Sequence, residues 1–288
     1  MRRVHLFELE DQPWLPAVVR DAGTAYLAFA ARVGSHARVL APTLAELVRR
    51  TGETRIVDLC SGGGGPVIGI TEALAREGVY VKAVLTDRFP NHGSLERAQA
   101  SSQGRIELYP DPVDAKSVPD RLRGIRTMFN ALHHFEPKTA RAILADAAAN
   151  MQPIAVFELV GRQLPLLASM LLAPLVVAVA IPLLRPFRLA WLPLTYLVPV
   201  IPLFVAWDGL VSCLRVYSER ELRELVASID SGPGYTWQIG RLPTRVPGAH
   251  VTFLTGGPLE PTTVGEPGHS EDRAHCAEHG QALLSAAP

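Results

Sequence analysis

The three cysteines of this 288-residue sequence, Cys60, Cys213 and Cys276, form no Cys-x-x-Cys pair. That spacing excludes a dithiol redox centre or zinc ribbon built on the motif, and no disulfide framework is in view. Nor is there a surplus of charge: Lys+Arg and Asp+Glu number 28 each. Nothing in that balance grips phosphates along a polymer, so no nucleic-acid partner is expected. The opening Met1-Arg2-Arg3-Val4-His5-Leu6 has no apolar signal-peptide run, and the expectation is a catalytic part facing a reducing cytoplasm. A Gly-Lys-Ser/Thr step is missing after the glycine cluster described next, which excludes a P-loop nucleotidase.

What is present centres on residues 55–70. A short apolar strand, Ile56-Val57-Asp58-Leu59, runs into Cys60-Ser61-Gly62-Gly63-Gly64-Gly65 and then a helix led by Pro66. Four consecutive glycines carry no Cβ, so a ligand can lie against bare backbone and meet the unpaired N–H groups of a helix N-terminus. A second strand over residues 80–86 ends in Asp87, where doubly wound sheets place the carboxylate that takes ribose hydroxyls. A third strand, 105–109, exits toward Asp114, positioned to meet a base amino group. A helical reading of 119–123 leads to a fourth strand, 125–129, which delivers Asn130-Ala131-Leu132-His133-His134-Phe135 to the same sheet edge. An alanine-rich helix over 137–149 and a fifth strand, 154–159, continue the alternation.

Ahead of these elements, residues 1–15 read as an irregular arm in which Phe7, Trp14 and Leu15 interleave with Glu8, Glu10 and Asp11. Helices are expected over 17–32 and 40–50. After the fifth strand, residues 164–184 and 189–207 carry no charged side chain, and Arg185-Pro186-Phe187-Arg188 separates them. Roughly 20 apolar residues match the hydrocarbon thickness of a bilayer, so either run is long enough to cross one. Prolines at 165, 174, 182, 186, 193, 199 and 202 and the arginine pair fit a shallow hairpin in one leaflet better than two plain spans. A greasy helical lid buried in the core or in a dimer interface is the competing reading. Asp208-Gly209 is expected to return the chain to the catalytic part, and Ser218 with Glu221 reads as a capping box. Two last strands, 235–239 and 250–254, are joined too closely for a crossover helix and should pair antiparallel. The tail is aperiodic and expected to be disordered, and no metal site is expected from its His275, Cys276 and His279.

These residues together resemble class I S-adenosylmethionine-dependent methyltransferases, over roughly 55–254 with the apolar segment as an insertion. The family's first motif, acid-x-Gly-x-Gly-x-Gly, appears here as Asp58, Cys60, Gly62 and Gly64, with Cys60 in place of the first glycine. The resemblance implies an α/β fold: a Rossmann-like, doubly wound, mostly parallel seven-stranded sheet with an antiparallel last pair and an apolar helical insertion after strand five. It divides the chain into an arm and helices (1–54), a cofactor core (55–162), the insertion (163–207), the rest of the core (208–257) and a tail (258–288). It implies S-adenosylmethionine held by Asp58, Cys60, Ser61, Gly62, Gly63, Gly64, Asp87, Asp114 and Asn130. Should the acceptor need to lose a proton, His133 or His134 is the expected base because an imidazole titrates near neutrality, with the other histidine structural and Glu158 a second candidate. The acceptor expected beside so apolar an insertion is a small apolar or membrane-embedded molecule, such as a lipid, quinone-like ring or prenylated compound, met at the cytoplasmic face of the membrane. A nicotinamide oxidoreductase is disfavoured because Val67 and Ile68 stand where Gly-x-Gly-x-x-Gly needs its third glycine. A non-catalytic membrane protein that kept the fold is the remaining alternative.

Overall fold

The structure is a computed structural model, and it describes residues 2–90, 92–245 and 247–259. The tail, with His275, Cys276 and His279, lies outside the described residues from position 260 on. Two helices, α1 (Ala17–Val33) and α2 (His36–Thr51), precede an alternating run: β1 (Arg55–Asp58), α3 (Gly65–Arg76), β2 (Lys82–Leu85), α4 (His92–Ser101), β3 (Ile106–Leu108), β4 (Ile125–Phe129), α5 (Pro137–Ala149) and β5 (Ile154–Glu158). Then come α6 (Leu164–Ala180), α7 (Val200–Arg215), α8 (Glu219–Ala227), β6 (Tyr235–Pro243) and β7 (His250–Pro258).

The strands form one seven-stranded sheet in the order β3-β2-β1-β4-β5-β7-β6. The first five are parallel, and β7 runs antiparallel to both neighbours, Phe157 opposite Phe253 and Ile239 opposite Leu254. This is the Rossmann-like fold with the antiparallel last pair, and the apolar helical insertion follows β5. Strand order reverses between β1 and β4, so the crevice that such sheets use for ligands opens at the C-terminal ends of those two strands.

Alternation along the strands explains the two layers. Ile56 faces the α2–α3 side with Leu40, Leu44, Ile70 and Leu74, while Val57 faces the α5–α8 side with Ile143, Leu144 and Leu222. A third core joins α1 to the insertion through Val19, Ala22, Val177, Ile181, Trp191 and Phe204. Trp191 Nε1 donates to the Val18 carbonyl at 3.0 Å, and Arg188 pairs with Asp21 at 2.6 Å, which docks the turn between α6 and α7 onto α1.

Several elements differ from the sequence reading. Residues 119–123 form only a turn, closed by Leu122 N–H on the Pro119 carbonyl at 2.8 Å, because five residues before Gly124 are too few to repay helix nucleation. The helix α4 was not foreseen, and α2 starts earlier than expected. The second apolar run breaks into short turns before α7, which continues unbroken through Asp208 to Arg215. Strand β7 likewise extends to Pro258.

Among the described residues one helical stretch, Leu164–Leu183, is long and apolar enough to cross a membrane by length and composition, and Leu189–Leu197 with Val200–Arg215 passes only as a pair bent by 79°. An inner stripe, Ala173, Val177 and Ala180, faces the core. Its outer face does not turn polar as a surface helix should: Leu171 is 83% exposed, and Leu172, Leu175, Val176 and Val179 stand beside it in solvent.

Candidate active site

The glycine turn occupies the end of β1. Cys60, Gly62 and Gly64 have φ of 56°, 53° and 70°, the left-handed region in which a side chain is strained. Ser61 sews the turn to its surroundings: its hydroxyl donates to the Asp58 carbonyl at 2.9 Å and accepts from Thr86 N–H at 3.1 Å. A Cβ added to Gly62 would meet nothing within 4 Å, whereas one on Gly63 would lie 2.7 Å from Thr24 Cγ2. The turn is therefore open at Gly62 and covered by α1 at Gly63. Burial pushes the Cys60 thiol up to about 12, helped by Asp87, Asp58 and Asp114, so it is a neutral thiol at physiological pH.

Of the carboxylates at this edge, Asp87 is half-buried just beyond β2 and reaches the turn. Its Oδ2 accepts Gly62 N–H and its Oδ1 accepts Phe89 N–H, both at 2.9 Å. A carboxylate offers about four lone-pair directions, so acceptor capacity remains. Asp114 accepts Lys116 N–H at 3.0 Å and faces the Lys116 ammonium at 3.5 Å and the Arg88 guanidinium at 3.9 Å. Asp58 points beneath the turn, where its Oδ1 accepts the Thr127 hydroxyl at 2.7 Å. Burial raises its pKa to about 7, against the hydrogen bonds of Ser61 and Thr127 that lower it. Asn130, with φ of 49°, turns its amide oxygen to Leu159 N–H at 2.6 Å and so ties the end of β4 to the end of β5.

The next pair of strand ends carries the histidines. His133 is 2% exposed, and Glu158 at the end of β5 grips it twice: Oε2 lies 2.7 Å from Nδ1, and Oε1 accepts the backbone N–H at 3.0 Å. A carboxylate on Nδ1 fixes the tautomer with the proton there and leaves the Nε2 lone pair free. That Nε2 has no hydrogen-bond partner, and Glu8 Oε1 stands 3.8 Å away. The His134 ring stacks on His133 with centroids 4.4 Å apart, but its surroundings are opposite. Its Nδ1 meets Glu8 Oε2 at 2.8 Å and Asp11 Oδ1 at 3.3 Å. Burial works against its charge, yet the two carboxylates prevail and hold its pKa at about 10.

Sequence reasoning missed the residues that close over these histidines. Arg215, buried at the end of α7, lies 3.3 Å from Glu8 and 3.1 Å from Asp11 and donates to the His134 carbonyl at 2.6 Å. Ser212 donates to Glu8 at 2.9 Å. Asp208 accepts Leu9 N–H and Glu10 N–H, both at 2.8 Å, so α7 clasps the arm that carries Glu8 and Asp11. Arg3 donates to the carbonyls of Arg215, His133 and Phe135 and stacks over Tyr217. The sequence signal was three acids interleaved with Phe7, Trp14 and Leu15 in an arm that also carries Arg2, Arg3 and His5. Ligand atoms of Glu8, His133 and His134 lie within 4.8 Å of one another, a spacing a metal ion can use, but Arg215 and a protonated His134 already balance Glu8 and Asp11.

No protein-family model and no curated sequence matches the chain. Solved structures similar in fold include an O-methyltransferase family protein from Burkholderia thailandensis, at 14% identity and TM-score 0.42, covering 79% of this chain and 59% of its own. An O-methyltransferase family 2 protein from Planctomyces limnophilus in complex with apigenin is 15% identical with TM-score 0.49, over 85% of this chain and 63% of its own. Human N-acetylserotonin methyltransferase in complex with S-adenosylmethionine is 13% identical with TM-score 0.49, over 85% and 56%. The chain thus spans less than two thirds of each of these proteins.

Proposed function

We propose that this chain transfers the methyl group of S-adenosylmethionine to a small apolar acceptor at the cytoplasmic face of a membrane. The observation that carries the reading is the juxtaposition, at one sheet edge, of an open glycine turn facing Asp87 and a buried histidine whose Nδ1 is held by Glu158 and whose Nε2 has no hydrogen-bond partner. The residues suit the cofactor. Gly62 offers an open face, and Asp87 keeps acceptor positions for ribose hydroxyls after bonding the turn. Asp114 is near enough to the same edge to take an adenine amine once Lys116 or Arg88 yields. Asp58 and Asn130 would serve from beneath, by fixing the strand ends that shape the crevice.

S-adenosylmethionine supplies an electrophilic sulfonium methyl when bound. The chain's own task is then to align the acceptor and, where that acceptor carries a proton, to remove it. His133 suits that second role: Glu158 holds its proton on Nδ1, orients the ring and steadies the imidazolium that forms when Nε2 takes a proton. His134 does not, since a group protonated up to about pH 10 has no lone pair to offer at neutrality. The reading of the acceptor as apolar and of the location as a membrane face is supported by the uncovered leucines of α6 and its continuation, Leu171, Leu172, Leu175 and Leu183, which stand together where a surface helix would carry polar side chains.

Isothermal titration calorimetry tests the cofactor. Binding of S-adenosylmethionine and of its demethylated product is expected, with Asp87→Ala weakening it by about 1 to 3 kcal/mol. Binding of NAD with neither of these would sink the proposal. Labelled cofactor incubated with enzyme and lipid extract then identifies the acceptor.

A further inference from the structure

An open groove of about 910 Å³ runs along α3 between α1, α2, α4 and the turn that joins α6 to α7. Six arginines line it, Arg32, Arg38, Arg76, Arg97, Arg185 and Arg188, against two carboxylates, Asp21 and Glu72. Both carboxylates are engaged: Asp21 with Arg188 at 2.6 Å, and Glu72 with Arg105 at 3.6 Å and Arg76 at 3.8 Å. Among the described residues no carboxylate lies within ion-pair distance of Arg32, Arg38 or Arg185. The groove therefore holds an uncompensated positive charge in a protein whose formal net charge is zero.

Its position matters as much as its sign. Arg185 and Arg188 lie between Leu183 and Leu189, which are 57% and 75% exposed and belong to the uncovered apolar surface. Arg185 folds back onto the carbonyls of Pro182 and Leu184, at 3.3 Å and 2.9 Å, and so stays at the rim of that surface. Guanidinium groups bordering a hydrocarbon face reproduce the layering of a leaflet, in which phosphates lie just outside the acyl chains. Guanidinium is also the side chain whose fork matches phosphate oxygens two at a time.

We infer that this groove binds the phosphate headgroup of an anionic phospholipid drawn from the leaflet that the apolar face contacts. The inference rests on the membrane reading above, and it adds a lipid preference which that reading lacks. Arg32 and Arg38 take the headgroup from α1 and α2, Arg185 meets it at the rim, and the lipid tail leaves along α6.

The full chain is tested by flotation with vesicles of phosphatidylcholine alone and with about 30% phosphatidylglycerol, at low and high salt. Stronger partitioning onto the anionic vesicles, weakened by salt, is expected. Arg32→Gln and Arg38→Gln should each lower that partitioning about fivefold and leave binding to phosphatidylcholine alone unchanged. Melting curves confirm that the variants fold, as exposed sites allow. Equal binding to both vesicles, unchanged in the variants, overturns the headgroup site and leaves the membrane reading standing. Failure to bind either vesicle overturns both. Because Gly63 and Pro66 also line the groove, S-adenosylmethionine affinity is measured on the same variants. A loss there, with vesicle binding intact, assigns the groove to the cofactor and overturns the inference.

Discussion

Two adjacent histidines with the same intrinsic chemistry receive opposite roles from their neighbours. His133→Ala is expected to lower turnover roughly a hundredfold with little change in cofactor affinity, as removal of a general base does. For His134→Ala the expected loss is in melting temperature; steady-state kinetics beside thermal melts separates the two. The pH dependence follows in sign. His134 is raised from 6.5 to about 10, so its contribution to stability is complete below pH 6.5 and is lost as pH rises through 10. Asp11 is lowered from 3.8 to about 2, so its contribution is complete above pH 3.8 and is lost as pH falls toward 2. Both contributions are complete between pH 3.8 and 6.5, while Asp208 of the same clasp, raised by burial from 3.8 to about 6, opposes them as it ionises across that range. Asp58 acts the other way to a salt-bridged acid: raised from 3.8 to about 7, it costs stability progressively as pH rises from 3.8, and the cost is complete above 7. Asp58→Asn, which keeps an acceptor for Thr127, should flatten the stability profile between about pH 4 and 7, and denaturant melts across that range check it. At this scale the sequence disclosed acids and histidines at strand ends, because each follows an apolar run. It did not disclose Glu8, Asp11 and Arg215 as one cluster. Residues some two hundred positions apart leave no periodic trace of their pairing.

Among the elements, the five parallel strands were readable because each is a short apolar-rich run bounded by polar or glycine punctuation, buried over most of its length except in β3, where only Ile106 is buried. Helix α4 was not, because its buried face consists of little more than Leu95 and Ala98 among polar and small residues. The limits of α7 were hidden for a different reason. Its apolar stripe passes from the uncovered insertion into the core without a change of composition, and only the buried partners of Asp208 and Arg215 mark where surface becomes interior. Gly124 tests how tightly β4 is delivered to the sheet. It has φ of 135°, and a Cβ there would lie 2.4 Å from the Arg55 carbonyl oxygen. Since backbone rather than a flexible side chain blocks it, Gly124→Ala should cost several kcal/mol, or about 1 to 3 for the strained backbone alone. Thermal denaturation measures it, and a change within a few tenths would mean that β1 and β4 shift easily.

For the molecule as a whole, the mostly parallel sheet with its antiparallel last pair was legible from alternating elements and the family resemblance, but the fate of the apolar insertion was not, since burial in a core and burial in lipid ask for the same residues. The exposed leucines allow a test that spares the fold. Replacing Leu171, Leu175 and Leu197 together by Gln should release the chain from vesicles, each lost leucine weakening contact by about 1.5 to 3 kcal/mol, while its melting temperature stays near that of the parent. Retained binding would remove the insertion from the interface. The same leucine face has a kinetic consequence. A catalyst seated in a leaflet meets its acceptor by lateral diffusion, so the variable that saturates it is the acceptor's mole fraction in the lipid. Adding inert phospholipid at constant total acceptor should therefore slow turnover, although nothing dissolved in the surrounding water has been diluted.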